Sequence, residues 1–324
     1  MHYFGARIFA QLGSGLGRQG RVDKLEDPDV QLYSASPTSY HTAKEMIPES
    51  MQREFDRRGL EYLKHTLSGP MTRAATLEEI NVQKEAYGKA AKRVVNMGFD
   101  GIEIYFGGGY FGFSFLSPRL NKRTDEYGGS RENRMRYLMD NIRNVRQTVP
   151  DDFVVGIRVS IEEHMPGGLT REDTKVICKE AEALGVDYIS LEDGTWESMK
   201  HYLPDKPGEL VDPVAEIKRE LKIPVICGSM GDANKAEAAI KDGRIDMAGI
   251  GRPLIADPEW TNKVAAGKKP IKCIRCNIGC WQRLVELSLP IRCTVNPECG
   301  YEQYNPEFKM SKPRKAFWKM GGTI

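Results

Sequence analysis

Six short apolar runs recur along this chain, and charged stretches with helical periodicity separate most of them. The runs cover residues 8–12, 101–106, 154–160, 187–192, 224–228 and 247–252. The helix-periodic stretches cover residues 77–98, 131–149, 171–185, 212–222 and 233–243. Because strands that alternate with helices at this spacing form βαβ units, the pattern predicts an α/β fold with a parallel sheet. It leaves open whether the sheet is open or closed, since six strands are visible and a (β/α)8 barrel needs eight.

A long connection, residues 14–76, follows the first apolar run. Its one helical stretch covers about residues 49–67. Connections of this length inside a compact domain are uncommon, and those that occur are usually functional. We therefore expect this segment to pass over the active face of the sheet.

The charge balance narrows the classes of partner. Lys and Arg number 47 against 45 Asp and Glu, which gives a net charge of +2. This near balance argues against nucleic acid or an anionic membrane as the main partner. No apolar run approaches the roughly 20 residues that a membrane span needs, and the first residues lack the features of a secretory signal. We expect a cytosolic protein, in which seven cysteines do not form a disulfide framework.

Two glycine-rich segments, residues 15–20 and 107–112, fit the dinucleotide-binding pattern G-x-G-x-x-G. In a Rossmann fold that turn opens directly into a helix, whose N-terminus binds the pyrophosphate. Neither segment does so, because Pro28 and Pro118 interrupt the residues that follow. We interpret both as loops whose backbone approaches a flat ligand at the C-terminal end of a strand.

Four cysteines, Cys273, Cys276, Cys280 and Cys293, lie close together near the end of the chain. A cubane iron–sulfur cluster needs one thiolate for each of its four irons, whereas structural zinc more often takes two separated C-x-x-C pairs. Since Cys280 lacks such a pair, the spacing favours iron–sulfur and leaves zinc open. The other three cysteines, Cys178, Cys227 and Cys299, are interpreted as packing residues or spare thiols.

Residues 115–138, FLSPRLNKRTDEYGGSRENRMRYL, closely resemble the signature of the old yellow enzyme superfamily of FMN-binding barrels. The similarity is greatest to the branch with 2,4-dienoyl-CoA reductase, trimethylamine dehydrogenase and the NADH:flavin oxidoreductases of anaerobes. Further matches follow in the same order at residues 10–18, 98–105, 155–160, 224–232, 249–260 and 293–302. The resemblance covers nearly the whole chain and implies a (β/α)8 TIM barrel with FMN at the C-terminal ends of its strands. It equates residues 8–12 with the third strand, which implies an N-terminally truncated barrel without the first two strands.

The resemblance also divides the chain. It implies a partial FMN-binding barrel over residues 1–268, with the long excursion 14–76, then a 4Fe-4S segment over 269–305 and a linker or tail over 306–324. In the iron–sulfur branch the cluster passes electrons between FMN and a nucleotide-binding domain or an external carrier. The resemblance therefore implies NAD(P)H as the electron donor, through a separate domain or a partner chain, and a small-molecule substrate. Self-association into a homo-oligomer is left open.

Six residues are candidates for contacts with FMN. Gln11 can give a bidentate amide contact to the flavin, and Arg158 is an unusual residue for a buried parallel strand. The alternative for Arg158 is an ion pair inside the barrel, but the resemblance places the matching arginine beside the flavin. The phosphate would rest on backbone N–H groups and a planar guanidinium, contributed by Gly228, Ser229, Gly251 and Arg252.

The resemblance also assigns a catalytic pair. The family pattern after the fourth strand is roughly E-I-H-x-x-H-x-Y, and this chain reads EIYFGGGY over residues 103–110. Tyr110 matches the tyrosine that donates a proton to the substrate, with an aromatic wall of the pocket as the alternative. Tyr105 and Gly108 replace the two histidines that hold the substrate carbonyl, an interaction that can be worth about 3 kcal/mol. Tyr105 can supply one hydrogen bond in their place.

Three functions remain open at this stage. The first is reduction of an α,β-unsaturated carbonyl or an enoyl- or dienoyl-CoA by NAD(P)H, FMN and the cluster. The second, indicated by Tyr105, is an amine-type dehydrogenase. The third is a catalytically silent fragment that needs a partner chain. Glu192, Asp193 and His164 are expected at the same mouth of the sheet but receive no role.

Overall fold

The computed structural model describes residues 2–20, 31–62, 67–285 and 287–301. Two compact units contain them, one spanning Ala10–Gly251 and the other comprising Met1–Phe9 and Arg252–Ile324. The predicted domain boundary at residue 268 stays a prediction, and the predicted tail over 306–324 lies outside the described residues. No helix in the described part of the chain combines the length and apolar character that crossing a bilayer requires.

Eight strands and eleven α-helices are found in the described residues. The strands are β1 Phe9–Gly13, β2 Tyr33–Ser34, β3 Arg73–Ala74, β4 Gly101–Phe106, β5 Val154–Ser160, β6 Tyr188–Glu192, β7 Val225–Cys227 and β8 Met247–Ala248. The helices of the larger unit are α1 Glu49–Arg58, α2 Leu77–Asn96, α3 Phe111–Leu116, α4 Arg131–Thr148, α5 Arg171–Ala183, α6 Met199–Tyr202, α7 Val211–Lys218 and α8 Ala233–Lys241. Those of the smaller unit are α9 Arg252–Ala256, α10 Trp260–Ala265 and α11 Arg283–Val285.

The main sheet confirms the predicted α/β class. Its six strands follow the order β1-β4-β5-β6-β7-β8, and the pairings from β4 to β8 are parallel. The strands of this sheet therefore follow one another in chain order, with only β2 and β3 set apart, as in a barrel that adds strands in sequence order. The excursion over 14–76 contributes a separate parallel pair, β2 with β3.

Two long helices begin at capping boxes. At the start of α2, Thr76 Oγ1 accepts the Glu79 N–H at 3.1 Å, and the Glu79 carboxylate accepts the Thr76 N–H at 2.8 Å. Thr170 and Asp173 form the same reciprocal pair at the start of α5. Each box satisfies backbone donors that a helix N-terminus otherwise leaves unpaired.

The helix predicted over residues 49–67 is shorter in the structure. It ends at Arg58, because Gly59 adopts a left-handed conformation with φ of 61° and its N–H caps the last turn. A glycine at this position is the usual stop of a helix, and residues 63–66 lie outside the description.

The two faces of the central strands differ sharply in chemistry. One face is fully buried and carries only apolar side chains, namely Ile102, Ile104, Phe106, Val155, Ile157, Val159, Ile189 and Leu191. These side chains belong to one hydrophobic cluster with residues of α2, α4 and α5. The opposite face carries Glu103, Tyr105, Arg158 and Glu192. Since side chains alternate along a strand, helices cover one face and the polar face remains for chemistry.

Gly156 makes room for an aromatic ring on that polar face. It pairs with Tyr188 on the next strand, and a Cβ at Gly156 would lie 2.1 Å from the Tyr188 ring. We expect Gly156→Ala to lower the free energy of unfolding by about 1–3 kcal/mol, because the ring must move in a packed site. Urea denaturation of both single variants and of Gly156→Ala/Tyr188→Ala measures the coupling. Strict additivity in that cycle would contradict the steric explanation.

Candidate functional site

A cavity of about 500 Å³ lies at the C-terminal ends of β1, β4, β5 and β6. This volume is within the range of about 300–1,000 Å³ that is typical of ligand sites. Four of the predicted site residues line it together, namely Gln11, Tyr105, Tyr110 and Arg158. The structure thus brings the predicted catalytic pair and two of the predicted flavin contacts to one place.

An ion pair crosses the floor of this cavity. Arg158 Nε donates to Glu192 Oε2 at 2.7 Å, and Tyr105 Oη donates to Glu192 Oε1 at 2.7 Å. Burial lowers the pKa of Arg158, but Glu192, Tyr105 and Glu103 together raise it further, so the net shift is upward and the guanidinium stays charged. The alternative interpretation of Arg158, an ion pair inside the sheet, is therefore present. Its predicted flavin contact stays a prediction, and the position at the cavity is compatible with it.

The two predicted catalytic tyrosines differ in their surroundings. Tyr105 gives its proton to the hydrogen bond with Glu192, and burial followed by that carboxylate raises its pKa well above the ordinary value. Burial raises the pKa of Tyr110 to about 12. The Tyr110 ring lies 5.8 Å from that of Tyr105 and 6.1 Å, edge to face, from that of Trp196. Both hydroxyls are protonated at neutral pH, which is the state that a proton donor requires.

The turn after β4 has backbone conformations that favour glycine. Gly108 and Gly109 have φ values of 64° and 89°, in the left-handed region that favours glycine. A Cβ at Gly108 would also lie 2.6 Å from Tyr105 Oη. A histidine at this position, as in the family pattern, therefore needs a different backbone and a different neighbour.

Three residues of the cavity escaped assignment from the sequence. The sequence analysis gave Glu192 no role, although its carboxylate accepts hydrogen bonds from both Arg158 and Tyr105. Tyr202 and Ser14 also line the cavity. Tyr202 lies on the short helix α6, which is too short for a periodic pattern to indicate which way its side chain points. Glu192 could have been found from the sequence, because an arginine in the buried strand β5 needs a carboxylate partner, and β6 is the next strand.

The predicted phosphate residues fall into both compact units. Gly228 and Ser229 follow β7 and Gly251 follows β8, all in the larger unit. The Gly228 N–H already donates to Leu191 O at 2.9 Å, so Gly228 can offer close backbone approach but not that donor. Arg252 belongs to the smaller unit, where its Nη1 donates to Asn277 Oδ1 at 2.9 Å. The phosphate site stays a prediction.

All four predicted cluster cysteines line one pocket of the smaller unit. Cys273, Cys276 and Cys280 lie in and before a π-helical turn over Ile278–Gln282, and Cys293 faces them from the following segment. The Arg292 N–H donates to Gly279 O at 2.9 Å, and a Cβ at Gly279 would lie 2.3 Å from Arg292 O. The glycine therefore lets the two cysteine-bearing segments approach closely.

Two thiols of this pocket, those of Cys273 and Cys280, have raised pKa values and are protonated when nothing is bound to them. Burial raises the pKa of Cys273, and it raises that of Cys280 to about 11 although Arg252 opposes the shift. Metal binding must release these protons. The cysteines outside the pocket, Cys178, Cys227 and Cys299, are all buried, which is compatible with their interpretation as packing residues or spare thiols. Burial raises the pKa of Cys227 to about 12.

Comparison with known proteins relates the chain to redox enzymes. Residues 1–270 match the NADH:flavin oxidoreductase / NADH oxidase family. The chain is 39% identical to the NADH oxidase of Thermoanaerobacter brockii over 260 residues, which cover 78% of the chain and 40% of that protein. It is 31% identical to the cinnamate reductase of Clostridium sporogenes over 345 residues, covering 100% of the chain and 48% of that protein. The chain thus spans less than half the length of these relatives.

Solved structures agree with the family match. Histamine dehydrogenase from Rhizobium sp. 4-9 superposes with a TM-score of 0.71 at 25% identity, covering 91% of this chain and 40% of that one. The old yellow enzyme homologue from Zymomonas mobilis superposes with a TM-score of 0.63 at 25% identity, covering 84% of this chain and 70% of that one. The main sheet, in which the pairings from β4 to β8 are parallel, therefore belongs to a barrel of the old yellow enzyme type, which confirms the predicted TIM-barrel class. The predicted N-terminal truncation and iron–sulfur segment stay predictions.

Proposed function

Because the chain belongs to the NADH:flavin oxidoreductase / NADH oxidase family, we propose that it reduces activated carbon–carbon double bonds with electrons from NAD(P)H. FMN at the cavity of the larger unit and a 4Fe-4S cluster in the cysteine pocket would be its cofactors. The substrate class is an α,β-unsaturated carbonyl compound, as a free acid or a thioester. One relative carries the name cinnamate reductase, which supports this class.

The observation that carries the proposal is the position of Tyr110 at the cavity. Its hydroxyl keeps its proton, because its pKa is raised to about 12, and Tyr110 lines the same cavity as the charged Arg158. FMN would supply the hydride to one carbon of the double bond. Tyr110 would then give a proton to the other carbon, which is general acid catalysis by a positioned side chain.

The residues at this cavity fit a flavin. The space is of the right size, and its lining offers the amide of Gln11 and the guanidinium of Arg158. A fixed positive charge stabilises a ring system that becomes anionic on reduction. Glu192 holds Arg158 in place at 2.7 Å, so the charge is oriented before any ligand binds.

The cysteine pocket fits a cubane cluster better than a zinc ion. Tetrahedral zinc with Zn–S bonds of about 2.3 Å needs sulfur atoms about 3.8 Å apart, whereas a cubane binds each thiolate through a different iron. Among the described residues, no three of the four thiols lie within 4.8 Å of one another. Asn277 Nδ2 is buried at the pocket without a hydrogen-bond partner in the described structure, and it can donate to an inorganic sulfide of a bound cluster.

Anaerobic purification followed by analysis of iron, sulfide, zinc and flavin tests the cofactors. We expect one FMN with about four iron and four sulfide atoms per chain. Activity is measured with cinnamate and reduced methyl viologen, because the artificial donor replaces any nucleotide-binding domain. Zinc in place of iron would overturn the cluster, and a flavin-loaded protein that leaves enoates unchanged would overturn the substrate class.

An amine-type dehydrogenase is the second candidate. Tyr105, Tyr110 and Tyr202 line the cavity together with the carboxylate of Glu192, and aromatic rings with a carboxylate are suited to an organic cation. The structural similarity to histamine dehydrogenase also supports an amine substrate. Oxidation of secondary or tertiary amines with an artificial electron acceptor, without enoate reduction, would favour this function. Failure of both assays with flavin bound would favour a fragment that requires a partner chain.

A further inference from the structure

Three metal-binding side chains meet beside the cavity, in the larger unit. His164 follows β5, Asp193 follows β6 directly, and His201 lies on α6. Their ligand atoms all lie within 4.8 Å of one another. In the described part of the chain this is the one group of three His, Cys, Asp or Glu side chains that approach so closely. None of them has a role in the proposed reaction.

The carboxylate of this group is already oriented. Asp193 Oδ1 accepts the backbone N–H of Glu162 at 3.2 Å, and Asp193 Oδ2 lies 2.7 Å from His164 Nε2. The Asp193 side chain is only 7% exposed. One oxygen is thus fixed by the backbone, and the other points at the imidazole nitrogen that a metal would use.

The far side of His164 has the surroundings of a ligating histidine. Its Nδ1 lies 3.9 Å from Glu162 Oε1, and Glu162 Oε2 in turn lies 3.7 Å from Arg171 Nη2. Histidines that bind metals usually direct their second nitrogen toward a carboxylate or a carbonyl, which fixes the ring. The Gly194 N–H also donates to Glu162 O at 3.0 Å and fastens the two loops together.

The backbone at His164 is strained for a residue with a side chain. Its φ is 55°, in the left-handed region, and such conformations cluster at functional sites. The His164 and His201 rings are stacked, with centroids 3.7 Å apart and planes at 10°. The left-handed backbone at His164 and the stacking of the two rings place both imidazoles beside the Asp193 carboxylate.

We propose that His164, Asp193 and His201 bind one divalent cation of the zinc type and that the ion fastens the loop after β5 to the loop after β6. Two imidazoles and one carboxylate form a donor set suited to zinc and its first-row neighbours. The lone pair of an imidazole nitrogen lies in the ring plane, so two stacked rings cannot both point at one ion. Binding therefore turns the His201 ring out of the stack. Water fills the remaining coordination position.

Equilibrium dialysis against buffered Zn²⁺ tests the site with the zinc ion alone as the probe. The purified wild-type chain is compared with His164→Ala/His201→Ala, which has the same cysteines and hence the same background of thiol-bound zinc. We expect the double variant to bind one equivalent less, with zinc affinity at this site at least about 100-fold weaker. The control His41→Ala removes an exposed histidine of the same unit outside the group and should bind as much zinc as the wild type. Equal zinc binding by wild type and double variant would overturn the proposal.

Asp193→Asn keeps the shape of the site and covers the case in which the double variant does not fold. It should lose the extra equivalent as well, together with the zinc-dependent rise in melting temperature that the wild type shows. X-ray absorption at the zinc edge then identifies the ligands of the extra ion. Nitrogen and oxygen neighbours at about 2.0–2.1 Å support the site, and sulfur at about 2.3 Å places the ion among the cysteines and overturns it.

Discussion

Cys280→Ser should remove most of the iron from the anaerobically purified protein, from about four atoms per chain to less than about one. Cys280 lies in the π-helical turn over Ile278–Gln282, where its thiol shares a pocket with Cys273, Cys276 and Cys293. Serine is a harder ligand that does not replace the sulfur, and without its fourth thiolate the cluster loses the iron at that corner and then breaks down. Iron and sulfide analysis measures the loss, and the visible charge-transfer absorbance should fall with it.

Cys299→Ser is the matched control for this experiment. Cys299 is buried in the same unit but does not line the pocket, so its variant should keep its iron. The reverse result, with iron lost from Cys299→Ser and retained in Cys280→Ser, would show that the predicted ligand set is wrong.

Tyr110→Phe should slow enoate reduction by a factor of about 10²–10⁴ while the flavin content stays the same. The variant keeps the ring that packs against Tyr105 and Trp196 and removes only the proton donor. Single-turnover measurements with the reduced protein and cinnamate isolate this step. Because the pKa of Tyr110 is raised to about 12, its ionisation should not lower the rate below about pH 11.

Tyr105→Phe is the comparison for Tyr110→Phe. The Tyr105 hydroxyl already donates its proton to the hydrogen bond with Glu192, so its loss should slow the reaction much less. Equal losses in the two variants would contradict the assignment of the proton donor. A full rate in Tyr110→Phe would make this tyrosine a wall of the pocket.

The elements of the sheet were largely predictable from the sequence. The runs at 101–106 and 154–160 coincide with β4 and β5, and the predicted run at 187–192 exceeds β6 by one residue. Apolar residues in short segments between charged helices leave few other interpretations. The helix over 49–67 was predicted too long, because the apolar periodicity of the sequence continues past Gly59, whereas the helical backbone ends at Arg58.

The sites were predictable to different degrees. Short spacing ties Cys273, Cys276 and Cys280 together whatever the rest of the fold does, so the sequence alone could place them in one pocket. The network of Tyr105, Arg158 and Glu192 instead depends on the register of three strands, in which Tyr105 pairs with Arg158. No local pattern encodes that register. His164 and His201 lie 37 positions apart, which matches no short motif for a metal.

The alternation of the central strands has a consequence for how this protein can change over evolutionary time. Neighbouring positions of β5 have different roles. Ile157 packs in the hydrophobic cluster under the helices, whereas Arg158 lies at the cavity. A substitution at Arg158 can change the reactivity of the cavity without disturbing the hydrophobic cluster that holds the strands. A single scaffold can therefore carry different side chains at the cavity around the same core, which is compatible with the presence of both reductases and dehydrogenases among its relatives.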